Sequence, residues 1–239
     1  MDRKILSLLF ISPVIFILSC AMPTIYGSGN SKEISYAIAE FNSLYVSDGC
    51  KVTLVQSDTH FVTVTIDENI ERFVQVETIN GELKLSLRAG WEYNRVQFSA
   101  HIGVPDLEYI KATEFAQIHL QAPPFSERPL SIDLSSYSQM SGSISARDIT
   151  VHLSGRSKLE LRGKAHTLTV TGRNSSKASL FNLNTHNSSI ILRDNSVAEI
   201  VSSGVISGFL SDQSTLYYRG HVDSLERQGA SRLIEAGGL

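Results

Sequence analysis

Seven histidines, two cysteines and 24 acidic side chains could carry chemistry in this 239-residue chain, so the first question is which of them fall in phase. Glu160 and Glu199 do, each standing three residues after a serine, Ser157 and Ser196. Glycosidic hydrolysis needs two carboxylates about 5 to 9.5 Å apart across the scissile bond. These two lie two repeats apart with Ser179 at the same phase between them, which at strand spacing separates them by about 10 Å. They read as solvated outer-face acids, and no catalytic residue is assigned. His166, His186 and His221 each precede a serine by ten residues, so the first two are expected to stack on adjacent layers, about 4.8 Å apart. Arg147 and Gly204 fill the flanking phases. No third ligand follows, and neither a metal nor a cofactor is expected. The chain has no Gly-x-Ser-x-Gly elbow and no His-Glu-x-x-His segment. Cys50 follows Asp48-Gly49 with only Lys51 as a basic neighbour, which predicts a small, buried, inert thiol.

Charge supplies a second signal. Between Ser154 and Arg193 stand Arg156, Lys158, Arg162, Lys164, Arg173, Lys177 and Arg193 against a single acid, Glu160. Lys158 and Lys177 both follow their serines directly. Arg156, Lys158, Arg173 and Lys177 are the candidate polyanion-binding residues, for an anionic glycan or the phosphates of lipopolysaccharide. A solvated face that discourages edge pairing is the alternative. No aromatic residue interleaves these cations, so base or sugar stacking is not expected among them, and Tyr217 and Tyr218 lie two layers further on. The chain as a whole carries 21 basic and 24 acidic side chains, net −3, without the basic excess of a nucleic-acid binder.

The amino terminus is a targeting element. Arg3 and Lys4 precede an apolar run from Ile5 to Leu18 that is too short to span a bilayer as a mature anchor. The run ends in Ile17-Leu18-Ser19-Cys20, which resembles a bacterial lipoprotein lipobox and implies cleavage before Cys20 and its acylation. A secretory leader with a chance cysteine is the alternative. Residues 1–19 are then the signal peptide and residues 20–33 a lipidated, flexible tether rich in Gly, Ser and Asn. More than one acyl chain is enough for stable attachment. Ala21, where an Asp would retain an enterobacterial lipoprotein at the inner membrane, implies the outer membrane. No other apolar stretch of eighteen residues occurs.

What must position these residues is a succession of strands. From Ile34 onward apolar and polar residues alternate in short runs, such as Val62, Val64, Ile66 and Leu83, Leu85, Leu87. The best helical candidate is one turn within Asp67 to Val74, capped by Asn69. After Pro105 the pattern repeats about every 19 residues: a small residue, then polar, apolar, polar, apolar, at Ser157, Ser176 and Ser196, with looser copies at Ala116, Ser138, Ser214 and Ser231. A second short strand and a tight turn separate the copies. Such a unit fits one coil of a β-solenoid, with apolar residues inward and small residues at the corners. An antiparallel sandwich or barrel is the alternative, disfavoured because the corner residue keeps returning in register. The reading is all-β: an irregular β region over residues 34–104, a β-solenoid over 105–239, and a loop at 121–129. Leu159, Leu161, Leu168, Val170, Leu180, Ile190 and Ile200 are its expected core.

Four blocks carry a family resemblance: Phe41 to Gln56; Asp67-Glu-Asn69 leading to Val74 through Leu83; Ile102-Gly-Val-Pro-Asp-Leu107; and the Ser-Gly-x-Ser-Lys repeats from Ser154. Together they resemble the putative auto-transporter adhesin, head GIN domain family of bacterial envelope proteins. The resemblance implies stacked short strands and no established biochemical activity. Ala112-Thr-Glu-Phe-Ala116 departs from the Gly- and Ser-rich corner of that pattern. With no catalytic motif in the chain, the leading reading is a non-enzymatic cell-envelope lipoprotein that presents its solenoid surface to glycan or protein partners. An enzyme on surface polysaccharide and a structural module of an envelope complex are the rivals.

Overall fold

A computed structural model describes residues 22–125 and 128–237, so the signal segment and Cys20 lie outside the described residues. The strands are β1 (Thr24–Tyr26), β2 (Ser31–Tyr36), β3 (Ser43–Val46), β4 (Lys51–Gln56), β5 (Phe61–Asp67), β6 (Val74–Ile79), β7 (Glu82–Leu87), β8 (Glu92–Asn94) and β9 (Phe98–Val104). They continue as β10 (Tyr109–Ala112), β11 (Gln117–Phe125), β12 (Leu130–Leu134), β13 (Gln139–Leu153), β14 (Lys158–Gly172), β15 (Lys177–Leu192), β16 (Val197–Leu210), β17 (Thr215–Arg227) and β18 (Arg232–Glu235). The expected all-β solenoid is present, with about six turns and an irregular amino-terminal part.

From β11 to β18 every neighbour in the stack is parallel, as coils of one handed winding must be. The ladder crosses Pro105 without a break, because β3 and β4 pair in parallel with β10 and β11. The irregular part closes the other end with three antiparallel pairs, β2 with β5, β5 with β9 and β6 with β7. Period-two alternation makes two opposed inward columns. On one side run Val52, Ile118, Met140, Leu159, Ala178, Ala198 and Leu216, and on the other Leu83, Leu44, Ile110, Ile132, Val151, Val170 and Ile190, all buried. The seven residues expected in the core of the repeat are each at most 1 % exposed. Each such Leu, Ile or Val contributes about 1.5 to 3 kcal/mol by leaving water.

One corner of the stack repeats the same four-residue turn from coil to coil. In Ser154-Gly155-Arg156-Ser157 the two central residues have φ of 59° and 63°, and the Ser157 N–H donates to the Ser154 carbonyl at 3.2 Å, a type I′ arrangement. The same pair of positive φ values occurs at Asp48-Gly49, Glu114-Phe115, Ser136-Tyr137, Asn174-Ser175, Asp194-Asn195 and Asp212-Gln213. The residue that closes each turn is the repeating small residue of the sequence pattern. Its neighbour's N–H donates to the carbonyl of the same position one coil away, Lys158 to Ser138, Lys177 to Ser157 and Val197 to Ser176. Cys50 heads this column, joined through Gln117 N–H to its carbonyl, a position the sequence reading treated as an isolated cysteine.

Two local expectations are corrected. The tether placed at residues 20–33 is strand from Thr24: β1 pairs with β8 and β2 lies antiparallel on β5, because Ile25 and Ile34 pack against the core. The single helical turn expected within Asp67 to Val74 is present as a three-residue 3-10 turn, Glu71–Phe73, and it is the cap that differs, since no side chain caps it. Asn69 instead donates to the Tyr26 carbonyl and accepts from Ser28 N–H, while the buried Asp67 carboxylate accepts from Gly29 and Gln97 N–H. Both side chains therefore fasten the amino-terminal segment. At the insertion, register slips between Leu120 and Phe125 where β11 meets β13.

Candidate functional site

Inward apolar residues at every second position force the intervening side chains of the first arm outward, in two columns that cross the coils. Nearest the corner run Ser99, Lys51, Gln117, Gln139, Lys158, Lys177 and Val197. Beyond them run His101, Thr53, His119, Ser141, Glu160, Ser179, Glu199 and Tyr217. The middle of these columns lines a groove of about 510 Å³ that extends from Lys51 to Lys177. Its charged lining includes Lys51, Lys158 and Lys177 against Glu160, with Gln117, Gln139 and His119 as further hydrogen-bonding groups. His119 Nδ1 lies 3.1 Å from Ser141 Oγ, and the Lys177 ammonium meets Glu199 Oε1 at 3.3 Å. That ion pair is half exposed and worth at most about 1 kcal/mol.

The seven basic residues keep to adjacent coils but divide around the perimeter. Lys158 and Lys177 are register neighbours inside the groove, and Arg156 stands on the corner at its edge. Arg173 opens the next corner from the far side and lines another shallow cleft with Asp133 and His152. Arg162 donates to Ser143 Oγ at 2.7 Å, Lys164 lines a cleft with Arg147 and His166, and Arg193 lies over the Phe209 ring. Sequence position alone had joined Arg173 to the other three; it is the turn that puts it on a different arm.

Glu160 and Glu199 share a column with Ser179 between them, as their phase implies, and Glu199 engages Lys177. His166 and His186 do stack, with ring centroids 5.2 Å apart. The position after His186 is Ser203 rather than Gly204, since β16 is shorter there, and Ser203 Oγ lies 3.3 Å from His186 Nδ1. Among the described residues no three metal-ligating side chains gather. Cys50 is fully buried; burial first, and then the Asp48 carboxylate, push its thiol well up.

The sequence reading missed an aromatic pair. Phe115 and Tyr137 occupy the position just before the closing residue in successive turns, and their rings stack at 5.1 Å and 9° between planes. The Arg156 guanidinium follows one coil later, 5.7 Å from the Tyr137 centroid, and donates to the Tyr137 hydroxyl at 3.1 Å. The available signal was the departure at Ala112 to Ala116 together with the spacing of each aromatic from its own closing residue. Beside Phe115, partial burial first, and then Asp48, raise the Glu114 carboxyl.

No helix among the described residues is long and apolar enough to cross a membrane. No curated protein matches the sequence significantly. Among solved structures, one described as a putative adhesin from Bacteroides fragilis superposes with a TM-score of 0.75 at 17% identity, over 87% of this chain and 98% of that one. A putative lipid binding protein from Parabacteroides distasonis gives 0.69 at 12% identity, over 89% and 100%. A putative adhesin from Parabacteroides merdae gives 0.69 at 14%, also over 89% and 100%. At these identities the likeness is one of fold. Residues 40–221 match the family described as putative auto-transporter adhesin, head GIN domain, a span that takes in both outward columns and the corner stack, and the chain belongs to that family.

Proposed function

We propose that this protein is a non-enzymatic adhesion-type component of the bacterial cell envelope that holds an anionic glycan along the groove from Lys51 to Lys177. The observation that carries the reading is the groove's lining, three lysines against Glu160 and the Glu199 paired with Lys177, still net positive on a chain whose net charge is −3. An elongated groove across parallel coils suits a polymer, and cations along it attract a polyanion with a strength that falls as salt screens them. Family membership supports an envelope setting. Acylation at Cys20 supplies the membrane attachment in this reading, with the outer membrane as its destination.

Retention on immobilised heparin and lipopolysaccharide as sodium chloride rises tests the groove. A Lys51→Ala, Lys158→Ala, Lys177→Ala triple variant elutes at clearly lower salt than the wild type, whereas Arg173→Ala, in its separate cleft, elutes with it. Coincident elution of wild type and triple variant defeats the reading. Anchoring is checked independently: the wild type incorporates labelled palmitate and sediments with membranes, and Cys20→Ser does neither.

A further inference from the structure

The corner stack of Phe115, Tyr137 and Arg156 is at odds with its own backbone. At the equivalent position other coils carry Gly49, Ser175, Asn195 and Gln213, small or polar residues suited to a tight corner. Phe115 and Tyr137 adopt φ of 64° and 66° there, a region that bulky L-residues avoid because Cβ crowds the backbone. Nor does the core explain them, since Phe115 is 62 % and Tyr137 44 % exposed. Exposed strain of this kind concentrates at binding sites.

The stack also has a closed end and an open one. Arg156 covers the far face of Tyr137, and Tyr137 covers one face of Phe115. The other face of Phe115 looks toward the preceding coil, whose equivalent residue is Gly49, where an added Cβ would meet nothing within 4 Å. A cleft of about 390 Å³ continues from Gly49 away from Phe115 toward the start of β9, lined by Gly49, Lys51, Arg95, Gln97, Phe98 and others. Lys51 also lines the long groove, so cleft and groove share a wall. Of the nearby acids, Asp48 is engaged by Leu87 N–H, on the opposite arm, and Glu114, beside Phe115, has its carboxyl raised first by partial burial and then by Asp48.

We propose that the free face of Phe115 above Gly49 is a ring-stacking subsite for one acidic sugar unit of the glycan, with Lys51 and Arg95 receiving its carboxylate. The assignment rests on the groove reading above and adds an end point and a chemical class to it: the apolar face of a pyranose covers the phenyl ring while the anion faces the two cations. Tyr137 and Arg156 are positioning residues that hold the phenyl ring upright.

Two probes separate this subsite from charge attraction along the groove. Polygalacturonate offers pyranose rings and carboxylates, and polyphosphate offers charge without rings. Phe115→Asn retains a left-handed backbone, as Asn195 does at the equivalent position, so folding is preserved and checked by the thermal midpoint. It weakens polygalacturonate binding about tenfold or more in titration calorimetry and leaves polyphosphate binding unchanged. Gly49→Asn fills the slot without touching the aromatics and produces the same selective loss. Unaltered polygalacturonate affinity in both variants, or equal loss for both probes, overturns the subsite while leaving the groove standing. Wild type that binds neither probe overturns the groove and the subsite together. Wild type that binds polyphosphate alone overturns only the subsite.

Discussion

Two adjacent positions of the same turn obey different rules. The closing position is occupied by Cys50, Ala116, Ser138, Ser157, Ser176, Ser196 and Ser214, all small and at most 1 % exposed. The position before it holds Gly49, Phe115, Tyr137, Arg156, Ser175, Asn195 and Gln213, which share neither size nor polarity. The closing side chain points into the gap between coils, where a larger group would push successive layers apart. Its hydroxyl is put to use as well: Ser138, Ser157 and Ser214 donate to the carbonyls of Ala112, Leu134 and Leu192 at 2.9 to 3.0 Å, and Ser176 donates to Ser196 Oγ at 3.2 Å. The preceding side chain projects into solvent and is limited only by its left-handed backbone. Repetition therefore marks what stacking requires, and departure from it marks the surface available for recognition.

The sharpest break of that comparison is made just beyond the turn. Leu161→Asp places an unpaired charge at a site 1 % exposed, a loss on the order of 5 kcal/mol, comparable with the whole stability of many domains. Loss of the folded circular dichroism signal is the expected result. Lys158→Asp, three residues earlier on the outward column, leaves the thermal midpoint within a few degrees. Equal destabilisation by both would mean that the inward and outward columns are misassigned.

Within the turn itself a matched pair of substitutions is informative. Ser157→Leu overpacks a fully buried position and costs about 2 to 3 kcal/mol, whereas Arg156→Leu changes stability by about 0.5 kcal/mol. Urea unfolding midpoints distinguish the two. Ser157→Ala has a smaller effect of about 1 kcal/mol, because the Leu134 carbonyl keeps a second donor, the Ser154 N–H at 2.9 Å. Ala116 stands naturally in the same column without a hydroxyl, so the column tolerates the loss of a hydrogen bond better than the addition of volume.

This asymmetry explains what the sequence could reveal. The returning serine and the alternation around it disclosed the solenoid, its register and its core, since both patterns arise from stacking that every coil shares. The segment ahead of Pro105 was harder to read. There β3 and β4 sit in the stack between partners far away in sequence, β7 and β10, β9 and β11, so their coil has no copy at the repeat spacing. Cys50 consequently looked like a lone thiol. The groove was half legible: Lys158 and Lys177 share a phase, but Lys51 joins them only through that non-local pairing. Phe115 and Tyr137 escaped because turn position, rather than strand periodicity, brings them together.

The smallest expected effect tests whether the variable position is free of the fold. Tyr137→Asn removes the ring contact with Phe115 and the hydrogen bond from Arg156, a loss of about 1 kcal/mol for an exposed stack. It also puts at φ near 66° a residue that tolerates the left-handed region, relieving about 1 kcal/mol of backbone strain. The two contributions oppose each other and are of similar size, so the urea midpoint should move by less than the shift for Ser157→Ala, in either direction. A drop as large as that of Ser157→Leu would show the aromatic stack to be a strut of the corner, and the division between a stacking column and a recognition column would fail at this turn. A stable variant keeps the division intact, because the fold then draws no net stability from rings that occupy a strained, exposed position.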